Sequence, residues 1–317
     1  MTGLLVGTFG FFGLHTLLWF PKSFARLKQK REHHVDDEPK QYVRFQTRER
    51  LLHLSVIFSF FGLAITGMML KFANMAWASS LAGLIGGVGN AGLIHRVCAV
   101  ITFGYMLIHI YFLYLYKVKY DLTLFQMIFD KNSLVPSLTD LFEFFGTMKW
   151  FLGMGERPAY GRWTYWEKFD YFAVFWGVNI IGSTGLLLWF PELFTIVLPG
   201  WLINVATIIH SDEALLAVGF IFTVHFFNTH PRPEAFPMDP VIFSGRIPFS
   251  GLEHDRPREY EELKAAGELE NHLAAPISQR RRRVIFLFGM TCLGIGVSLI
   301  ILIMGIPFTH VLAICRK

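Results

Sequence analysis

Long apolar runs are the feature that most limits how this chain can fold. They are uncharged or nearly so and lie at about Leu4–Phe20, Leu51–Leu70, Leu93–Tyr116, Phe169–Phe190, Trp201–Asn228 and Val284–Ile306. As an α-helix, a run of about 20 residues crosses the roughly 30 Å hydrocarbon layer of a membrane. The runs are continuous and do not alternate, which argues against a β-barrel. The sequence therefore predicts an all-α fold, a polytopic membrane bundle of about six transmembrane helices.

Composition agrees with a membrane protein and excludes several soluble classes. Hydrophobic residues make up 53% of the chain and charged residues 17%, whereas soluble domains carry about 25% charged residues. The three cysteines, Cys98, Cys292 and Cys315, are isolated, so no CxxC pair for zinc or an iron–sulfur cluster and no CxxCH motif is present. No nucleotide fingerprint occurs either, and we expect no nucleic-acid partner.

Basic residues indicate the orientation of the chain. Lys and Arg concentrate in segments 21–50, 117–168 and 230–283, while the alternate connections are poor in them. The positive-inside rule places these three segments in the cytoplasm and both termini on the outer side. The first run lacks a basic start and a small-residue cleavage site, so we expect a retained helix and not a signal peptide.

The runs and loops suggest four parts. These are an N-terminal transmembrane helix with a basic linker (1–41), a four-helix core (42–230), a cytoplasmic loop (231–283) and a C-terminal transmembrane helix with an outer tail (284–317). The loop is too short for an independent catalytic domain. A partner protein is therefore expected to carry the primary chemistry.

Histidines inside the apolar runs are the candidate functional residues. Ionisable residues within a bilayer are costly and usually functional. His95 and His109 are about 21 Å apart along one helix, and His210 and His225 about 22 Å along another. Each helix thus offers one imidazole near the outer side and one near the cytoplasm, where His53 also lies. Facing imidazoles on different helices can ligate haem iron.

Two arginines accompany these histidines. Arg96 follows His95 at the outer interface, and Arg50 lies one turn before His53 at the inner one. Each could pair with a haem propionate, or could be an ordinary interfacial charge.

The order of these motifs resembles a known family. Arg50-Leu-Leu-His53, Thr66-Gly67, His95-Arg96 and the later pair His210 and His225 are similar to the b-type cytochrome subunits of formate dehydrogenases, nickel–iron hydrogenases and thiosulfate-reductase-like complexes. The resemblance covers about residues 42–230. It implies two haems b, with quinone bound near one of them, in a bacterial or archaeal cytoplasmic membrane. By position, His95 and His210 would hold the outer haem, and His53 and His225 the inner one.

The inner site has more histidines than that scheme uses. In quinol–cytochrome c reductase cytochromes b, two helices each give two ligands, and by that pattern His109 would pair with His225. His15 lies at a similar depth, which leaves a three-haem variant open. The pattern favours two haems.

Polar residues near the core suggest quinone and proton sites. Asp170, Tyr171 and Asn179 are candidates for quinone binding near the cytoplasmic side, and Asp212 and Glu213 for proton relay behind His210. The resemblance favours a partner on the outer side, either a multihaem c-type cytochrome or an iron–sulfur protein. The sequence thus predicts a membrane electron-transfer subunit of a quinone-linked respiratory oxidoreductase.

The competing function is a transporter or channel with a histidine-lined proton or metal path. Metal transport favours carboxylates and His pairs spaced as HxxxH. Neither histidine pair has that spacing, so electron transfer is the preferred interpretation.

Overall fold

The protein is a bundle of long helices closed at one end by short ones. A computed structural model describes residues 2–30, 40–232 and 235–315. In chain order the helices are α1 (Thr2–Lys30), α2 (Thr47–Lys71), α3 (Ala76–Leu84), α4 (Val88–Lys119), α5 (Leu124–Ile128), α6 (Leu138–Phe151), α7 (Tyr165–Trp189), α8 (Pro191–Phe194), α9 (Trp201–Phe220), α10 (Phe226–Thr229), α11 (Val241–Ser244), α12 (Phe249–Asp255), α13 (Pro257–Ala265) and α14 (Gln279–Cys315). A π-helical turn, Ile221–His225, joins α9 to α10, and a 3₁₀ turn, Leu269–His272, follows α13.

The membrane fold predicted from the sequence is confirmed. In the described part of the chain, five helical stretches are long and apolar enough to cross a membrane: Thr47–Lys71, Val88–Lys119, Tyr165–Trp189, Trp201–Thr229 and Gln279–Gly305. The predicted first run, Leu4–Phe20, lies within α1, and its crossing of the membrane stays a prediction.

Helix α7 begins earlier than the apolar run predicts because polar residues cap it. Helix α7 begins four residues before the predicted Phe169, after the N-cap residue Thr164. The Thr164 side chain accepts a hydrogen bond from the Glu167 amide, while the Glu167 carboxylate accepts one from the Thr164 amide. This capping box satisfies amides that the first helical turn leaves free. Hydropathy alone does not detect such a turn.

The helices of the core pack as two antiparallel hairpins. Helix α2 packs along α4, and α7 packs along α9. The π-helical turn and α14 join them through an apolar cluster that includes Met68, Phe222 and Leu299. Helix α1 packs beside α6 through the buried rings of Trp19 and Phe151, and Trp19 also contacts Trp166 of α7. The two hairpins enclose the space in which the intramembrane histidines meet.

A small cap, which the sequence did not predict, covers one end of the bundle. Its sheet has the strand order β2-β1-β3, with β1 Gln41–Val43, β2 Arg246–Pro248 and β3 Leu273–Ala274, and both pairings are antiparallel. Most of the predicted 231–283 loop therefore folds back onto the chain just before α2. Residues 31–39 of the predicted basic linker, residues 233–234 and the final residues 316–317 lie outside the described residues.

Candidate cofactor site between the two hairpins

A large cavity runs between the two helical hairpins. Its volume is about 1410 Å³, and its walls come mainly from α2, α4, α7 and α9. Pockets that hold one small molecule measure roughly 300–1,000 Å³, so this space exceeds what a single small ligand needs. The histidines that line it are His53, His95, His109, His210, His225 and His230. We call His95 and His210 the far-side layer, and His53, His109 and His225, nearer the cap, the loop-side layer.

The far-side layer consists of two imidazoles that face each other. The ring centroids of His95 and His210 are 6.2 Å apart, with an angle of 65° between the rings. A metal ion lies about 2 Å from an imidazole nitrogen, so two rings that share one ion have centroids roughly 6 Å apart. The two side chains are therefore spaced so that both could ligate one metal ion placed between them.

Both far-side rings are oriented by hydrogen bonds at their Nδ1 atoms. His95 Nδ1 lies 2.9 Å from the Thr66 hydroxyl, and His210 Nδ1 lies 3.0 Å from the Ile181 carbonyl oxygen. The Thr184 hydroxyl is 3.4 Å from the same atom of His210. With Nδ1 as the protonated donor, Nε2 keeps its lone pair for a metal. Histidines that ligate metals usually have such a partner at the other nitrogen.

Two glycines leave room for these rings. A Cβ atom added at Gly67 would lie 3.4 Å from His95 Cε1, and one added at Gly185 would lie 3.1 Å from His210 Cε1. Each glycine follows the threonine that bonds the same ring. A Thr-Gly pair on the first helix of each hairpin thus supports a histidine on the second.

The loop-side layer brings His53 and His225 to the same end of the cavity. Both side chains line it, and they lie within electrostatic range of each other. His225 Nδ1 bonds Asp170 Oδ2 at 3.0 Å, which orients its ring as the far-side rings are oriented. His53 Nδ1 is buried with no hydrogen-bond partner among the described residues. This layer is therefore less completely oriented than the far-side layer.

The two other candidate ligands have partners of their own. His109 Nε2 lies 2.7 Å from the Tyr171 hydroxyl, which leaves no space for iron between these atoms. His15 lies outside the cavity, where its Nε2 is 2.5 Å from the Tyr165 hydroxyl and its ring packs against Trp19.

The π-helical turn explains the unequal histidine spacings. The two histidines of α4 are separated by 14 residues, and His210 and His225 by 15. A π turn accommodates one residue more than an α turn. Since Ile221–His225 is such a turn, His225 points from its helix in nearly the direction that a separation of 14 would give.

The predicted arginines differ in their position relative to the cavity. Arg96 lines it, with its guanidinium carbon 5.8 Å from the centre of the Trp189 ring. Arg50 turns away and donates from Nε to the Phe243 carbonyl at 2.9 Å. The cavity is instead lined near the cap by a group of charged residues: Arg44, Arg157, Glu167, Arg232, Asp239, Asp255 and Arg256.

Residues of the cap determine the ionisation state of the Asp255 carboxyl at this end of the cavity. Burial alone would raise the pKa of Asp255, but a hydrogen bond from His254 and the charge of Arg157 lower that pKa below its usual value. The Asp255 carboxylate therefore stays ionised beside the arginines.

Some of the residues predicted for quinone binding and proton relay line the cavity, and others do not. Asp170 and Tyr171 line the cavity, whereas Asn179 is exposed, does not line it, and donates to the Phe175 carbonyl at 2.8 Å. Asp212 pairs with Lys71 at 3.1 Å. Glu213 lines the far-side part of the cavity.

Sequence reasoning missed Thr184, Arg44 and His230. The recurrence of Thr-Gly at 66–67 and 184–185, each on the helix before a histidine pair, was the available signal for the first. Arg44 and His230 stand just outside the apolar runs, where hydropathy places interfacial residues of no special role. Both are buried and line the cavity near the cap.

A family model matches the first part of the chain. Residues 2–130 match the family of prokaryotic cytochrome b561, which confirms the predicted resemblance to the b-type cytochrome subunits of hydrogenase-like complexes. The match begins in α1, which the predicted resemblance over 42–230 did not include, and ends after α5. A search of curated proteins found no match. The chain is thus a multi-pass membrane protein whose first part is similar to a family of b-type cytochromes, proteins that bind haem b and transfer electrons.

Proposed function

We propose that this membrane cytochrome holds two haems b and transfers electrons between a membrane quinone/quinol pool and a partner redox subunit. The observation that carries the proposal is the far-side pair, in which two facing imidazoles have the spacing that one iron requires and hydrogen bonds that leave Nε2 free. When bound, haem supplies reversible one-electron chemistry.

The protein's own residues would fit two such groups. His95 and His210 would hold one haem, and His53 and His225 the other. Asp170 would orient His225, and Arg96 and Arg44 would face propionates at the two ends of the cavity. Because His109 and His15 are engaged by tyrosines, the proposal uses neither as an iron ligand.

The ligand sets also distinguish haem from a bare metal ion. No group of three or more His, Cys, Asp and Glu side chains that could hold a metal ion occurs in the described part of the chain. Protein sites for zinc use three or four side chains, whereas haem brings its own ring nitrogens and needs only an axial pair. The facing pair of His95 and His210 therefore favours electron transfer over metal transport.

The side of the membrane and the partner also belong to the proposal. The cap gathers the Lys- and Arg-rich segments at one end of the bundle, as expected for a cytoplasmic face. We propose a bacterial or archaeal inner membrane with both chain termini outside. A multihaem c-type cytochrome or an iron–sulfur protein would then exchange electrons at the far-side layer.

Optical spectra of the purified chain test the haem assignment. We expect a b-type α-band in the reduced-minus-oxidised difference spectrum and two haems per chain by pyridine haemochrome. His95→Ala and His210→Ala should each lose the same haem and keep the other. The control His109→Ala should keep both. Wild-type protein without haem, or a His95→Ala variant that keeps two haems, would contradict the proposal.

A further inference from the structure

The hydrogen-bonded pair of His109 and Tyr171 is a polar site to which the haem scheme gives no role. The two side chains come from different hairpins and meet in the loop-side layer, 2.7 Å apart. Both line the cavity. Polar side chains at this depth in a membrane are costly, and those that face a cavity rather than lipid usually serve a ligand or a proton path.

The position of the pair follows from the relation between the two hairpins. The Thr-Gly pair lies 14 residues after His53 in α2 and 14 residues after Tyr171 in α7, counted to the glycine. Tyr171 therefore occupies on the second hairpin the place that His53 occupies on the first. Similarly, His109 on α4 corresponds to His225 at the end of α9. The contact between His109 and Tyr171 is thus the counterpart of the proposed haem pair, with a hydroxyl in place of one imidazole.

The cavity wall beside this pair includes partly exposed aromatic side chains. Phe172, Phe175 and Trp176 line the cavity and are 46%, 40% and 52% exposed. Helices α4 and α7 touch each other much less than either touches its partner within a hairpin. A lipid-soluble molecule can therefore enter through this aromatic-lined seam between α4 and α7 without passing through water.

We propose that the His109–Tyr171 pair binds the ring of a quinone or quinol that enters through the seam. The inference rests on the proposed function, because it takes the quinone as the electron carrier in the membrane. A tyrosine hydroxyl donates and accepts hydrogen bonds, and a neutral imidazole has one nitrogen of each kind. When His109 Nε2 donates to the Tyr171 oxygen, the hydroxyl hydrogen is free for a quinone carbonyl. When the hydroxyl donates to Nε2 instead, its oxygen can accept from a quinol.

A quinone ring bound by Tyr171 would also lie close to the proposed electron path. Tyr171 follows Asp170, whose Oδ2 bonds His225 Nδ1. Asp170 Oδ1 is buried with no partner among the described residues. A quinone held by Tyr171 would therefore lie beside the residue that orients a proposed haem ligand. The aromatic side chains of the seam would cover its apolar faces and tail.

Binding of short-tailed quinones to the purified, haem-loaded full chain in detergent tests this inference. The probes are a benzoquinone and a naphthoquinone with short isoprenoid tails. Their affinity for the protein is measured by isothermal titration calorimetry. We expect Tyr171→Phe and His109→Phe each to weaken binding roughly tenfold, the loss of about one hydrogen bond, with two haems still present. Tyr105→Phe is the matched control, since Tyr105 also lines the cavity on α4 outside the pair, and it should bind as the wild type does.

Each other outcome has a distinct meaning. Unchanged quinone affinity in Tyr171→Phe with both haems present would overturn this inference and leave the proposed function standing. Wild-type protein that holds haem but binds neither probe would also overturn the inference alone. Loss of a haem in His109→Phe would identify His109 as a ligand, and would overturn this inference and the proposed ligand set while leaving electron transfer by a haem protein standing. A wild-type chain that binds no haem would refute the proposed function itself.

Discussion

At the scale of single residues, the threonines beside the far-side layer set the orientation of the two proposed ligands. Thr66 reaches His95 Nδ1 at 2.9 Å, while His210 Nδ1 has both Thr184 and the Ile181 carbonyl. The His95 ring therefore depends on a single hydroxyl, whereas the His210 ring would keep a hydrogen bond to a backbone oxygen if the Thr184 hydroxyl were removed. Loss of the hydroxyl should matter more on the side of His95.

This asymmetry gives the first prediction. Thr66→Val keeps the side-chain shape but leaves His95 Nδ1 without its partner, and the loss of such a partner weakens metal binding by roughly 10–100-fold. We expect faster loss of the far-side haem and a shifted midpoint potential, measured by redox titration. Thr184→Val should change both properties less.

The neighbouring hydroxyl of Ser183 provides the control. It bonds the Ile180 carbonyl on an exposed face of α7. Ser183→Ala should leave potential and haem retention unchanged. Equal effects of Thr66→Val and Ser183→Ala would show that the hydroxyl of Thr66 does not orient a ligand.

Gly185 provides a steric prediction. A Cβ atom there would lie 3.1 Å from His210 Cε1, closer than ordinary van der Waals contact, whereas one at Gly177 would meet only Ile181 Cδ1 at 3.9 Å. Gly185→Ala should displace the His210 ring and broaden or shift the far-side haem signal in electron paramagnetic resonance. Gly177→Ala should not. Identical spectra for the two variants would contradict the proposed position of the His210 ring against Gly185.

At the scale of elements, the π-helical turn keeps His225 facing the cavity although one more residue separates it from His210 than separates the two histidines of α4. Deletion of Thr223 should convert the turn to α-helix and restore a separation of 14. Because the extra residue is then gone, His225 should still face the cavity, and pyridine haemochrome should still give two haems. Loss of the loop-side haem would show that the turn does more than absorb one residue.

The elements also show what the sequence could and could not predict. Apolar runs and histidine depths depend only on neighbouring residues and helical geometry, so the bundle and its far-side layer were predictable. Which helices lie side by side was not, and the pairing of His109 with Tyr171 depends on it. Arg50 was predicted to pair with a haem propionate or to be an ordinary interfacial charge, and its Nε donates to the Phe243 carbonyl, a contact that spacing along α2 does not reveal.

At the scale of the whole molecule, the cap is held by buried ion pairs between distant parts of the chain. Arg44 bonds Glu259 at 3.1 Å, with both side chains almost fully buried, and Arg162 bonds the same carboxylate at 3.0 Å. Strand β1 has only three residues, and its partners lie more than 200 positions away. Single-sequence patterns do not detect pairing of such short and distant strands, which is why the cap was not predicted.

The cap provides a prediction about stability. Removing one partner of a buried ion pair costs about 3–5 kcal/mol, because the other charge stays buried. Glu259→Gln should therefore lower the temperature at which the purified protein unfolds, followed by scanning calorimetry. The control is Glu262, which lies on the same helix α13 and forms an exposed ion pair with Lys131. Glu262→Gln should change the free energy of unfolding by less than about 1 kcal/mol. Equal effects would mean that the ion pairs of the cap contribute little.

The order of strands in the cap sheet has a consequence for how the protein is made. The central strand β1 is synthesised before any core helix, while both of its neighbours are synthesised after all four of them. With the cap on the cytoplasmic side, as proposed, the cap end of the cavity would stay open to the ribosome side until residue Ala274 has emerged. A cofactor delivered during translation would then reach the proposed loop-side ligands directly, whereas one supplied after completion would have to enter through lipid or wait for the sheet to open.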